Sequence, residues 1–175
     1  MSITITDTPT KRELGQIRRL YKSAFPKEER KPFSMIMRMR KQGKCDVWYF
    51  RDEGGFLGLG ITVKDDGLVL IDYFAVAEGR RGTGKGSLMM KELIKQYTGW
   101  GIFLEIERPL GDGGVTDRRL SFYLRAGYRE LGVSARLFGV DMILLGIDSS
   151  LDFEGYREFY CRNIGEFARK HITEI

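Results

Sequence analysis

Cysteine, histidine and long apolar runs are scarce in this chain, and each scarcity removes a class of function. The two cysteines, Cys45 and Cys161, form no Cys-x-x-Cys pair. That argues against a disulfide framework or a structural zinc site and points to a reducing cytoplasm. The single histidine, His171, stands among the last five residues, an odd place for a catalytic base, and reads as a solvent-facing residue at a helix end. No apolar run is long enough to span a bilayer, and the stretch Met1 to Thr6 has neither the basic nor the apolar region of a signal peptide. A membrane role is therefore not expected. Nor is there a long block of Lys and Arg: Lys27-Glu28-Glu29-Arg30-Lys31 mixes signs, as a solvated surface does, and argues against a nucleic-acid tail. What remains is an ordinary globular composition, 42% hydrophobic and 30% charged over 175 residues. A net charge of +5 favours an anionic partner without naming it.

No repeat, linker or low-complexity segment interrupts the chain, so a single α/β domain over residues 1–175 is expected. Ile3-Thr4-Ile5 alternates like a short strand. Leu14, Ile17, Leu20 and Tyr21 then share one helical face, which ends before Pro26. A second helix, Phe33 to Met39, is rich in methionine and arginine and reads as one side of a mobile acceptor-site helix. Val47–Phe50 and Phe56–Val63 flank Asp52-Glu53-Gly54-Gly55 as a hairpin. Leu68 to Val76 is almost continuously apolar, the pattern of a central strand covered on both faces. Helical spacing returns in Leu88–Tyr97, a strand in Gly101–Ile106, a short helix in Arg118–Ala126 ended by Gly127, and a late strand in Val140–Leu145. The aromatic residues from Phe153 to Phe167, with Ile172, predict an amphipathic C-terminal helix over about 151–173. Its stripe suits the core or a dimer contact, which leaves a homodimer open. Hairpins early and alternating elements late give a mixed, mostly antiparallel central sheet flanked by helices.

Between the buried strand and the next helix lies Gly79-Arg80-Arg81-Gly82-Thr83-Gly84-Lys85-Gly86-Ser87. Glycines there let backbone approach a ligand, a helix N-terminus offers unpaired N–H groups, and Arg80, Arg81 and Lys85 add positive charge. The pattern suits a phosphate or pyrophosphate. Read as a nucleotide-hydrolysing P-loop it fails at Gly86, where a Ser or Thr should hold magnesium. Read as Arg81-x-x-Gly84-x-Gly86, it resembles the acyl-CoA signature of the GNAT superfamily of N-acetyltransferases. Tyr73-Phe74-Ala75-Val76 resembles that family's fourth strand. Phe122-Tyr123-Leu124-Arg125-Ala126-Gly127-Tyr128 is similar to its Y-x-x-x-G-F element, and Ala24 to Arg30 to an N-terminal segment of bacterial members. These motifs occur in family order from about residue 3 to about residue 145. One departure is Thr116-Asp117 and Arg118-Arg119, where family members often carry asparagine and alanine.

The resemblance implies acetyl transfer from acetyl-CoA to a primary amine, without a metal. It places the thioester along Phe74, Ala75 and Val76, whose main chain would pair with the pantetheine amides and polarise the carbonyl. The pyrophosphate falls to the amides of Arg81, Gly82, Thr83, Gly84, Lys85, Gly86 and Ser87. Tyr123 takes the place of the general acid, a role that a phenol of pKa about 10 fills well toward an alkyl thiolate. For the base the residues leave three candidates, Asp72 on the buried strand and Glu105 and Glu107 on the next, since a carboxylate on an apolar strand is costly unless paired or functional. Two other readings keep the same loop: a non-catalytic module that binds acyl-CoA or another phosphorylated ligand, and a degenerate P-loop nucleotide-binding protein.

Overall fold

A computed structural model describes residues 2–175. The fold is mixed α/β, with eight strands in the order β1-β2-β3-β4-β5-β7-β6-β8. The chain divides into two compact units, Met1–Lys64 with Ile71–Thr98, and Asp65–Leu70 with Gly99–Ile175. Strand β4 (Leu68–Val76) contributes to both.

In the first unit, β1 (Thr4–Thr6) pairs antiparallel with β2 (Cys45–Asp52), which forms a hairpin with β3 (Gly55–Asp65). Helix α1 (Lys11–Ala24) starts on a capping box: the Thr10 hydroxyl accepts from Glu13 N, and Glu13 accepts from Thr10 N. It buries Ile17, Leu20 and Tyr21 and stops at Phe25, which Pro26 holds in the extended region. Helix α2 (Phe33–Lys41) turns Ile36 and Met39 inward. Helix α3 (Lys85–Lys95) packs Met89 and Leu93 against β3, where the glycines are needed for space. A Cβ at Gly58 would stand 2.2 Å from the Ala75 carbonyl oxygen and 2.6 Å from Met89 Cε.

A polar network is sealed under this unit. The Tyr97 hydroxyl donates to Asp46 (2.7 Å), accepts from Trp48 Nε1 (2.9 Å) and lies 2.5 Å from the Thr62 hydroxyl, while Lys64 holds Asp46 at 2.9 Å. Burial pushes the Tyr97 phenol pKa up. Tyr97→Phe leaves several of these groups short of a partner. It should cost about 1–3 kcal/mol, the desolvation penalty of unsatisfied buried groups, read as a lower urea midpoint at unchanged slope. Unchanged stability would show that the network is redundant.

In the second unit, the start of β4 pairs parallel with β5 (Gly101–Glu107) and β5 pairs antiparallel with β7 (Val140–Ile147). Strand β6 (Arg129–Leu137) turns into β7 through Phe138 (φ 47°) and Gly139 (φ 89°). Two positive φ values in succession are what a tight two-residue hairpin requires. Helix α4 (Val115–Arg125) precedes β6 and ends at Gly127, whose φ is 98°. The C-terminal segment differs from the single helix expected. Helix α5 covers Phe153–Asn163, Gly165 at φ 134° ends it, a 3-10 turn follows over Glu166–His171, and β8 (Ile172–Glu174) pairs with β6. The aromatic stripe of α5 belongs to the core: Phe159 and Tyr156 meet the Phe103 ring edge-on at 5.0 and 6.3 Å. His171 is exposed, as expected, and stacks on Phe138 at 5.1 Å. No described helix is long and apolar enough to cross a membrane.

Candidate functional site

The parallel ladder between β4 and β5 pairs Leu68 with Gly101, Val69 with Ile102 and Leu70 with Phe103, and ends there, although β4 runs on to Val76. Beyond that point the direction of the main chain can be read from its partners. Ala77 N donates to Leu57 O on β3 at 2.8 Å, and the Ala75 carbonyl faces Gly58. Strand alternation then aims the peptide groups of Val76 away from β3. On that side the Val76 carbonyl accepts from Arg81 Nε at 3.1 Å. Phe74 is half-buried, its ring edge-on to Phe50 at 6.3 Å.

After Val76 the chain makes a 3-10 turn, Glu78–Arg80, then the loop that starts α3. Gly82 and Gly84 hold φ of 74° and 75°, a region that glycine enters without a Cβ penalty. A Cβ at either would meet nothing within 4 Å, so the loop faces open space. Ser87 N donates to Gly84 O at 3.2 Å and Arg81 N donates to Glu78 O at 3.4 Å. Among the described residues the amides of Gly82, Thr83, Gly84, Lys85 and Gly86 make no hydrogen bond. Orphan donors at a helix start with open space before them are what an anionic phosphate needs. The residues from Gly82 to Gly86 fit the phosphates of CoA on this ground, whereas the Ser87 amide is already engaged.

The charges around the loop differ from the sequence expectation. Arg80 and Lys85 do not stand free to meet an anion. Both bind Asp52 at the end of β2, whose side chain is 4% exposed. Lys85 Nζ reaches Oδ2 at 2.5 Å, Arg80 Nη2 contacts both oxygens, and the Asp52 carboxyl is held down to about 2 by these two cations. Asp52 was legible only as a hairpin residue, since nothing local in the sequence links it to a loop some thirty residues later.

The candidate base positions are each occupied differently. Asp72 is bound by Lys31 Nζ through both oxygens, at 2.9 and 2.8 Å, with its side chain 7% exposed. Lys31 also lies 5.4 Å over the Tyr73 ring. The backbone of its segment is pinned by Tyr73, whose hydroxyl accepts from Lys31 N and donates to Glu29 O, and by Tyr21, which donates to Lys31 O. Asp72 thus anchors the strap between α1 and α2. Glu105 is half-buried beneath α5 and accepts from the Tyr160 hydroxyl, whereas Glu107 is exposed.

Tyr123 lies on α4, half-buried, with Phe122 and Tyr128 rings 5.1 and 5.5 Å away. Among the described residues its hydroxyl has no hydrogen-bond partner. Burial pushes its pKa up, with Arg119 opposing weakly, so the phenol carries its proton at neutral pH. The N-terminus of α4 is held by Asp117, which accepts from Gly111 N (3.0 Å) and Gly113 N (2.6 Å).

Two of the surface depressions are defined by their lining. One of about 410 Å³ in the first unit is bounded by Gln16, Arg19 and Ser23 of α1, by Phe56, and by Ala77 and Glu78 just past β4. Gln16 accepts from the Tyr49 hydroxyl at 2.8 Å. The other, about 350 Å³, lies at the start of β4 around Gly67, Gly101 and Ser149, and holds none of the candidate residues.

No curated protein sequence matches the chain. Among solved structures, it is similar to a Bacteroides thetaiotaomicron protein assigned to the GNAT acetyltransferases, with TM-score 0.79 and 20% identity over 94% of this chain and 98% of that one. A Bacillus subtilis acetyltransferase in complex with CoA aligns at TM-score 0.59 and 17% identity, over 84% and 97%. A Vibrio cholerae spermidine N-acetyltransferase bound to CoA and spermine aligns at 0.67 and 12%, over 83% and 94%. These identities speak for the fold. The model of the acetyltransferase (GNAT) family matches residues 14–128, a span that takes in β4, the glycine loop and Tyr123. The chain belongs to the GNAT acetyltransferase family.

Proposed function

We propose that this chain transfers an acetyl group from acetyl-CoA to a primary amine by direct attack in a ternary complex. The observation that carries the reading is the row of partnerless amides from Gly82 to Gly86 at the start of α3, backed by the end of the β4–β5 ladder at Leu70. The loop takes the phosphates, and the main chain of Phe74, Ala75 and Val76 positions the thioester. The amine lone pair attacks the carbonyl carbon, the C–S bond breaks, and the departing thiolate takes the proton of Tyr123. The amine's own proton leaves through water. Asp72 would have to give up Lys31 to accept it, so it serves better as an anchor, and Glu105 and Glu107 remain the carboxylate candidates. The cleft beside Ala77 and Glu78 is our candidate for the acceptor. It carries a cation, Arg19, and an anion, Glu78, beside the apolar Leu20, Phe56 and Ala77. Cys45 and Cys161 are buried free thiols, in keeping with the cytoplasm as the working compartment.

Ligand stabilisation tests the reading first. Acetyl-CoA at about 100 times its Kd should raise Tm by roughly 5–10 °C. Desulfo-CoA should do nearly as well, since phosphates and pantetheine carry most contacts. Stabilisation by ATP with magnesium but not by CoA would replace this function with the nucleotide-binding one. Release of free CoA across a panel of amines then separates an enzyme from a binding module.

A further inference from the structure

We propose that Asp52 is the positioning residue of the cofactor loop, raising its affinity for the CoA phosphates although its charge has the wrong sign for an anion site. The inference rests on the acetyl-CoA reading above. One carboxylate, almost wholly removed from solvent, gathers donors from three places. Arg80 Nη2 contacts both oxygens, Lys85 Nζ meets Oδ2 at 2.5 Å, and Gly54 N meets Oδ1 at 2.8 Å. Arg80 Nη1 also donates to Gly54 O at 2.9 Å, and a Cβ at Gly54 would stand 2.7 Å from that nitrogen. The hairpin tip is therefore shaped around the arginine.

The two cations bracket the loop. Arg80 ends the 3-10 turn before it, and Lys85 is the first residue of α3 after it. Between them stand Gly82 and Gly84, the positions with least conformational restraint of their own. A loop this free loses affinity to ordering entropy unless something orders it beforehand. Charge-assisted bonds from both ends to one carboxylate supply that order. Arg80 and Lys85 then act on the phosphates chiefly through the shape they impose, and the contacts fall to main-chain amides.

The sign of one substitution decides the matter. Asp52→Asn removes a negative charge beside an anion site, so Coulomb attraction alone predicts tighter CoA binding. Positioning predicts the reverse. CoA titrated calorimetrically into the whole chain should bind Asp52→Asn about tenfold more weakly, the order of affinity that preorganisation supplies. Amide exchange over Arg81–Ser87 without ligand should quicken, while core amides of β2 and β3 keep their protection. Asp52→Glu keeps the charge but displaces it by one methylene, so it should also weaken binding, whereas a purely electrostatic Asp52 would leave it at the wild-type value. Unchanged or tighter CoA binding by Asp52→Asn, or unaltered loop exchange, overturns the proposal. Wild-type protein that bound no CoA would sink the acetyl-CoA reading and the affinity claim together. Loop exchange, needing no ligand, would still decide whether Asp52 holds the loop.

Discussion

Tyr123→Phe should lower the rate of acetyl transfer by roughly 10²–10⁴-fold, the range that general acid catalysis supplies. The substitution removes one hydroxyl and keeps the ring, so the contacts with Phe122 and Tyr128 persist. Stability should barely change, because among the described residues that hydroxyl makes no hydrogen bond to lose. The loss should fall on kcat and not on KM for acetyl-CoA, since the proton matters only as charge builds on sulfur. The raised pKa adds a second signature. A phenol that stays protonated well above neutrality acts as an acid across the neutral and mildly alkaline range, so any fall of wild-type kcat on the alkaline side should lie above the ordinary tyrosine range and vanish in the variant. A near-normal kcat for Tyr123→Phe, measured with a confirmed acceptor, would reduce Tyr123 to a packing residue and leave water as the proton source.

Gly84→Val should weaken CoA binding by roughly 10–100-fold, the equivalent of about 1–3 kcal/mol of backbone strain. Gly84 sits at φ 75° as the residue that opens α3, and nothing lies within 4 Å of where a Cβ would be. The fault is therefore torsional. A β-branched residue leaves the left-handed region, the loop shifts, and the amides lose their aim. Gly86→Val probes something different. Gly86 is the second residue of α3 and is not among the glycines at positive φ. A side chain there meets no positive-φ penalty, so its effect on affinity tests close approach of the phosphates. Both variants should fold, as judged by circular dichroism. Wild-type CoA affinity in both would show that the loop is only a turn and that the phosphates bind elsewhere.

Much of the fold was legible because local physics writes it into the sequence. The period of Leu14, Ile17, Leu20 and Tyr21 becomes the buried face of α1, the unbroken apolar run becomes β4, and Asp52–Gly55 becomes the hairpin turn. The glycine loop was legible for the same reason, since positive φ and close approach are properties of single residues. No sequence expectation covers strand β6, although Leu131, Val133, Ala135 and Leu137 alternate with Glu130, Gly132, Ser134 and Arg136 as in a half-buried strand. The C-terminal segment departs from a single helix because Gly165 and a short edge strand leave almost no periodic trace. The partnerships of the carboxylates were beyond sequence reading altogether. Asp72 with Lys31, Asp52 with Arg80 and Lys85, and Glu105 with Tyr160 join residues 41, 28, 33 and 55 positions apart. The sequence by itself determined most of the elements, the family and the glycine loop before α3, because each depends on neighbours along the chain. Only the tertiary structure decided which charges are spent on one another, because ion pairing depends on which strand and helix ends the fold brings together.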